Sequence, residues 1–305
     1  MSDVPSHSTP SAPPAPPEDA ALEPCPTPLE WQEVVTTFVD EAEHWYQDHD
    51  GARVRGRTWG AGPPLYFLNN LCGTHELFAL LVWLLRDDFR CVLFDYPESR
   101  NCGLSRLTDW IPRIAEHHQD QRLTLFAPGF GSLVGFEAAA KFPERISSLI
   151  CPAASAGMKL SFGERVVGQF GRWVPGSFRR VPNRWYLQQR SHRVWFPPYD
   201  TSRFQFYVDN TGTNRTRAVA GRFLAGAQFD PEILSRVTQS VLLIRAEGDG
   251  PIQEAAAEKL SSLLPNSTTE WMHTTGVLSY LTHPHRLVKL IRAFCESEAA
   301  SANSR

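Results

Sequence analysis

Short apolar segments alternate with amphipathic helical patterns along most of this 305-residue chain, and this alternation constrains the fold more than any other feature. The apolar segments are nearly continuous, which is typical of strands buried on both faces of a parallel sheet. The helical segments between them would then cover those faces. The sequence therefore predicts an α/β fold with a mostly parallel central sheet and helices on both faces. The predicted strands span 64–69, 89–95, 122–127, 146–151, 240–247 and 268–273, and the predicted helices span 75–88, 107–118, 131–142, 252–264 and 283–297.

The alternation stops between residues 156 and 236, a segment that we call the insert. Residues 158–235 carry twelve Lys or Arg against five Asp or Glu, which leaves about +7 here and −10 on the rest of a chain of net charge −3. An insertion at the carboxyl ends of the strands would cover whatever site lies there. We therefore expect the insert to act as a lid, between an N-terminal part of the main domain (29–155) and a C-terminal part (237–297).

The two ends of the chain are expected to be disordered tails. Residues 1–28 are rich in Pro, Ala and Ser without an apolar period, and residues 298–305 look frayed. Neither a signal peptide nor a membrane-spanning run is recognisable. The six cysteines are scattered, which predicts reduced thiols, a cytoplasmic location, and no metal or other cofactor. The slightly negative charge and the lack of a nucleic-acid motif argue against nucleic acid as a partner, and no feature indicates an oligomeric state.

The order of elements resembles that of the α/β-hydrolase fold over roughly residues 50–297. The similar pieces are FDYPESRNCGLS, PGFGSLVGFEAAAKFPERISSLI, LIRAEGDGPI and HTTGVLSYLTHPHRLVKLIRAF. Within that family, GTHELF, DYP and TTGVLSYL are similar to maspardin-type members. The resemblance implies a nucleophile on a sharp strand-to-helix turn, an acid after a later strand and a histidine before the last helix.

Two of these three catalytic positions carry residues that cannot do the chemistry. In register with the family motif, Gly129 takes the nucleophile position and Val277 the histidine position, while Asp249 remains at the acid position. Glycine offers no hydroxyl, valine cannot accept a proton, and an isolated aspartate has no imidazole to orient. The turn itself favours glycine, since its positive φ costs other residues on the order of 1–3 kcal/mol.

The oxyanion hole does not depend on those side chains. The resemblance assigns it to the backbone N–H of Phe130 and to an N–H at Asn70 or Leu71. Such a pair of N–H groups at a helix N-terminus would favour a carboxylate or a phosphate.

Three residues are alternatives for displaced chemistry. Ser132 lies one helical turn beyond Gly129 and is expected to be a packing serine. Cys72 is a candidate thiol nucleophile without an evident base. His273, at a strand end, is a candidate base that a shifted loop would have to bring to Asp249.

Arginine and aromatic residues interleave in the insert, where Arg179, Arg180, Arg184 and Trp185 are the predicted binding residues. The alternative is that these aromatics pack on the main domain. The sequence as a whole favours a non-catalytic binding or scaffolding protein for a small anionic ligand or an acidic protein surface. The alternative is an active, esterase-like hydrolase with displaced catalytic residues.

Overall fold

The computed structural model describes residues 30–49, 51–99, 103–196, 200–247 and 258–303. These residues contain an eight-stranded sheet in the order β1-β2-β4-β3-β5-β6-β7-β8. The pairs β1–β2 and β2–β4 are antiparallel, and all other neighbours are parallel. The predicted α/β fold with a mostly parallel sheet is confirmed. The strands are β1 Glu43–His49, β2 Ala52–Trp59, β3 Pro64–Phe67, β4 Arg90–Phe94, β5 Leu123–Phe126, β6 Ile146–Pro152, β7 Ser240–Ala246 and β8 Ser267–Met272.

Helices cover both faces of this sheet. Leu107, Ile114 and Leu133 belong to the hydrophobic cluster on one face, and Phe38 and Leu287 to the cluster on the other. The helices are α1 Trp31–Glu41, α2 Ala79–Leu85, α3 Leu104–Thr108, α4 Trp110–His117, α5 Phe130–Lys141, α6 Phe162–Gly171, α7 Arg184–His192, α8 Thr201–Thr213, α9 Thr216–Gly226, α10 258–263, α11 Ser279–Thr282 and α12 Pro284–Asn303. Short 3₁₀-helices occupy His75–Phe78, Phe178–Arg180, Arg193–Trp195 and Pro231–Arg236.

The structure differs from the sequence-based prediction at several elements. The helix α1 and the hairpin β1–β2 were not predicted. The predicted helix 107–118 is the end of α3 followed by α4, with Pro112 in the first turn of α4, where its missing N–H costs no hydrogen bond. Residues 298–303 are helical rather than a disordered tail, because the Ala- and Glu-containing end of the chain continues α12. The predicted tail 1–28 lies outside the described residues.

The described residues of the insert form four helices, α6 to α9, between β6 and β7. Because β6 is parallel to both β5 and β7, the insert begins at the carboxyl ends of the strands. The turn between β5 and α5 lies at the same end of the sheet. Among the described helices, none combines the length and the hydropathy that crossing a bilayer requires.

Candidate functional site

The turn between β5 and α5 carries Gly129 at its crest. Gly129 has φ 52° and ψ −117°, a left-handed conformation that glycine adopts freely, and α5 begins at the next residue. Its N–H donates to the carbonyl of Pro152 at 2.9 Å, which ties the crest to the end of β6. The backbone at this predicted nucleophile position is therefore sharply bent and fixed, and it presents no side chain.

The side chain of Asn70 fills the space beside this crest. A Cβ added at Gly129 would lie 2.7 Å from the Oδ1 of Asn70 and 3.0 Å from its Cγ and Nδ2. Real Cβ atoms essentially never approach another heavy atom so closely. The amide of Asn70 thus occupies the volume that a nucleophile's side chain would need.

The same amide also occupies the predicted oxyanion hole. Oδ1 of Asn70 accepts a hydrogen bond from the backbone N–H of Leu71 at 2.7 Å and from that of Phe130 at 3.2 Å. The structure therefore brings the predicted donors, the N–H groups of Leu71 and Phe130, onto one acceptor. That acceptor is a side chain of the protein itself and not a bound molecule. The expected capture of an external carboxylate or phosphate by these N–H groups requires that Asn70 first move away.

Tyr280, which sequence reasoning missed, is a further partner of the Asn70 amide. Its ring is 1% exposed in α11 and packs on Phe78, with ring centroids 4.9 Å apart. Burial raises the pKa of the Tyr280 hydroxyl, and a hydrogen bond with the Asn70 side chain partly opposes that rise. A buried tyrosine usually has a hydrogen-bond partner for its hydroxyl. A tyrosine within an apolar stretch was therefore the signal in the sequence for a polar contact at this position.

The predicted histidine position is covered by apolar groups. Val277 is half-buried and packs against the second hydrophobic cluster. The adjacent Gly276 lies under Trp195 of the insert, so closely that an added Cβ would be 2.5 Å from the Cγ of the indole. The surviving acid position, Asp249, lies outside the described residues.

The contacts of the three alternative catalytic residues favour structural roles. Ser132 is fully buried, and its hydroxyl donates to the carbonyl of Gly129 at 2.7 Å. Burial raises the pKa of the Cys72 thiol to about 11, although Arg222 and Arg184 oppose the rise. His273 is exposed and stacks on Trp271, with centroids 6.1 Å apart and planes 11° from parallel.

Two polar contacts fasten the insert to the loop that carries Asn70. The guanidinium of Arg222, 1% exposed, donates to the carbonyl of Leu71 at 3.0 Å and to Oδ1 of Asn214 at 3.1 Å. The amide of Asn214 donates in turn to the carbonyl of Cys72 at 2.9 Å. The insert is therefore closed over this loop through buried hydrogen bonds.

The predicted binding residues of the insert divide into two groups. Arg184 is buried, and its Nη1 donates to the carbonyl of Val208, to Gln188 and to Thr211 at 2.8–3.2 Å. Arg184 joins α7 to α8. The predicted binding role requires a guanidinium that faces solvent, and the buried guanidinium of Arg184 does not. Arg179, Arg180 and Trp185 are exposed, and Arg179 forms a surface ion pair with Asp209 at 3.4 Å.

One further polar cluster joins His75, Glu76 and Asp95, whose ligand atoms lie within 4.8 Å of one another. Asp95 accepts a hydrogen bond from the backbone N–H of His75 at 2.9 Å and pairs with Arg55 at 3.2 Å. Burial opposes protonation of His75, but the two carboxylates outweigh it and raise its pKa. Arg55 thus already supplies a positive charge to the Asp95 carboxylate, one of the three groups that could ligate a metal ion.

The comparisons with known proteins place the chain in a family. Residues 63–284, more than half of the chain, match the alpha/beta hydrolase fold family, so the protein belongs to that family. It is 22% identical over 256 residues to the pimeloyl-[acyl-carrier protein] methyl ester esterase of Aeromonas salmonicida, a match that covers 77% of this chain and 96% of that enzyme. The narrower resemblance to maspardin-type members stays a prediction.

Solved structures of esterases and lactonases share the fold. A thermophilic esterase from Thermogutta terrifontis superposes with a TM-score of 0.71 at 15% identity, covering 84% of this chain and 99% of that one. The enol-lactonase of Burkholderia xenovorans superposes with a TM-score of 0.69 at 16% identity, covering 83% and 100%. These relatives are hydrolases by name, and at this identity the structural match establishes the fold alone.

Proposed function

We propose that this chain is a non-catalytic binding protein built on the α/β-hydrolase fold. One observation carries the proposal: the amide of Asn70 occupies both the space of the missing nucleophile and the acceptor position between the N–H groups of Leu71 and Phe130. Acyl transfer at this site requires a nucleophile, a base and a free oxyanion hole. At the predicted positions of these three, the chain carries Gly129, Val277 and the Asn70 amide.

Binding is better assigned to the outer surface of the insert than to the contact between the insert and the Asn70 loop, which buried hydrogen bonds hold together. Burial of Arg184 and Arg222 removes two guanidinium groups from external contact. Arg179 and Arg180 remain exposed near Trp185, on an insert of net charge about +7. The partner we propose therefore carries negative charge, and the scattered cysteines suggest a cytoplasmic setting.

An active hydrolase with displaced residues is the second candidate, and the esterase and lactonase names of the relatives favour it. It would require Ser132 to leave its bond to the carbonyl of Gly129, or Cys72 to react as a thiolate. Burial raises the pKa of the Cys72 thiol to about 11, which keeps it protonated and weakly nucleophilic at neutral pH. His273 would have to leave the exposed end of β8.

A fluorophosphonate probe and p-nitrophenyl esters of short and long chains separate the two candidates. We expect the purified protein to show neither covalent labelling nor turnover above the buffer rate. Ser132→Ala and Cys72→Ala are the matched variants. Labelling or turnover that either substitution abolishes would contradict the proposal and identify the displaced nucleophile.

A further inference from the structure

The helix α6 packs on the rest of the insert through glycines. A Cβ added at Gly168 would lie 2.8 Å from Cδ2 of Leu224, and one at Gly171 would lie 2.9 Å from Cβ of Ala220, both on α9. Gly168 is the one buried residue of α6. The inward face of the helix therefore consists of its smallest residues, which allow α9 to approach closely.

The outward face of α6 carries the large apolar side chains instead. Phe162, Val166 and Phe170 follow at intervals of four residues, which places them on one side of the helix, and Trp173 follows just beyond its end. Phe162 is 84% exposed, Phe170 70% and Trp173 71%. A helix of a globular protein normally buries its apolar stripe, so this helix has the reverse arrangement.

Basic groups flank this apolar face. Lys159 and Arg165 are exposed beside it, and Arg172 lies next to Trp173. The single carboxylate of the helix, Glu164, is engaged in a capping box with Ser161, where its Oε2 accepts from the Ser161 N–H at 2.7 Å. The surface presented to a partner is thus aromatic and aliphatic with a positive margin.

We propose that the outward face of α6, with Trp173, docks on an anionic lipid bilayer, the helix lying in the plane of the membrane surface. This rests on the binding role proposed above and adds the surface of α6 to the exposed Arg179 and Arg180 of the insert. Exposed Phe and Trp on one face with Lys and Arg at its edges is the pattern of helices that bind in the interfacial region. The charge of about +7 on the insert and −10 on the remainder would orient the insert toward anionic headgroups.

A second copy of the chain is a poorer occupant for this face. A symmetric contact through α6 would bring two inserts of about +7 together, so like charges would oppose the apolar contact. An anionic bilayer offers acyl chains to the apolar face and negative headgroups to the basic residues beside it.

Flotation of the full chain with lipid vesicles tests this proposal. We expect binding to vesicles of phosphatidylcholine with about one third phosphatidylserine, weaker binding to phosphatidylcholine alone, and weakening by salt. The triple variant Phe162→Ser, Phe170→Ser and Trp173→Ser should lower the partition coefficient at least about tenfold. The control Tyr46→Ser with Trp271→Ser removes exposed aromatics elsewhere and should bind as wild type does.

A second pair of variants tests the contribution of positive charge to vesicle binding. Arg165→Gln with Arg172→Gln should lower binding to the anionic vesicles, whereas Arg122→Gln with Lys289→Gln removes two exposed charges outside the insert and should not. Circular dichroism and the melting temperature check that each variant is folded.

Absence of binding to anionic vesicles would overturn the proposal, as would binding that the triple variant retains in full. A dimer in light scattering that the triple variant converts to a monomer would also overturn it, because the occupant would then be a second copy. Turnover in the ester assays would contradict the proposed function alone and leave the vesicle result standing.

Discussion

The Oδ1 atom of Asn70 lies 3.2 Å from the backbone nitrogen of Phe130, the residue that opens α5. That nitrogen is one of the orphan donors at the start of a helix, and the amide oxygen satisfies it from a different loop. The pairing stabilises an arrangement in which no external oxygen is required. It also gives a set of measurable consequences for the residues around it.

Replacing Asn70 should destabilise the fold because two N–H donors lose their acceptor. Asn70→Ala is expected to lower the free energy of unfolding by about 1–3 kcal/mol in urea titrations. Asn266→Ala is the control, since it removes one exposed side-chain bond to Ser240 and should cost less than about 0.5 kcal/mol. Equal losses in the two variants would argue against a structural role for the Asn70 amide.

Restoring a side chain at Gly129 should also be costly, and the cost should depend on Asn70. Gly129→Ser places a Cβ at a positive φ and 2.7 Å from Oδ1 of Asn70, so a loss of about 2 kcal/mol or more is expected. In the Asn70→Ala background the loss should shrink, with a coupling energy on the order of 1 kcal/mol. Additive losses would place the strain in the backbone alone.

Gly129→Ser should acquire no esterase activity, since Val277 offers no nitrogen to accept the proton. Ester hydrolysis by this single variant would show that another residue supplies the base.

Two glycines of α6 should respond to alanine with opposite signs. Gly163 has open space around an added Cβ, so Gly163→Ala should raise stability by roughly 0.5–1 kcal/mol. Gly171→Ala would press against Cβ of Ala220 and should lower stability by about 1–3 kcal/mol. Thermal and urea unfolding of the pair measure this difference. A gain at both positions would mean that α6 can separate from α9 at little cost.

Acid should weaken the fold through His192. The ring packs edge-on against Tyr207, with centroids 5.4 Å apart, and burial lowers the pKa of His192 to about 4. In the unfolded chain His192 has a pKa near 6.5. The stability that the neutral ring contributes is therefore fully present above pH 6.5. It is lost as pH falls from 6.5 to 4, where only the unfolded state gains the proton.

His192→Leu should remove that loss. Between pH 6.5 and 4 the wild type should lose about 1–3 kcal/mol more than the variant in urea titrations. Burial, with His117 and Arg90 nearby, also lowers the pKa of His118 to about 4, so the variant should keep part of the slope. Parallel curves for wild type and variant below pH 6.5 would contradict the assignment.

The bent turn at Gly129 was predictable because a strand that passes directly into a helix needs a sharp bend, and glycine adopts the positive φ of such a bend freely. The filling of the space beside it was not, because it depends on the rotamer of Asn70, a residue 59 positions earlier in the sequence. The sequence-based prediction assigned only backbone N–H groups, at Asn70 or Leu71, to the oxyanion hole. The signal that could have helped was an asparagine followed by further loop residues, which marks side-chain capping of nearby N–H groups.

The outer elements were harder to predict for other reasons. The hairpin β1–β2 is antiparallel and half-exposed, so it lacks the continuous apolar pattern of the central strands, although the Asp50–Gly51 pair is a hairpin signal in the sequence. Arg184 was predicted to face a ligand because arginines and aromatics alternate around it. Which of these arginines turns inward depends on how α7 packs on α8, and the spacing does not encode that.

The carbonyls of Leu71 and Cys72 hold the insert, and the N–H of Leu71 holds the Asn70 amide. The attachment of the insert and the position of the Asn70 amide therefore depend on the same few peptide units. A displacement of the insert that breaks the hydrogen bonds of Arg222 and Asn214 would release the peptide units next to Asn70. Movement of the insert and loss of the acceptor at the N–H of Phe130 would then be coupled events.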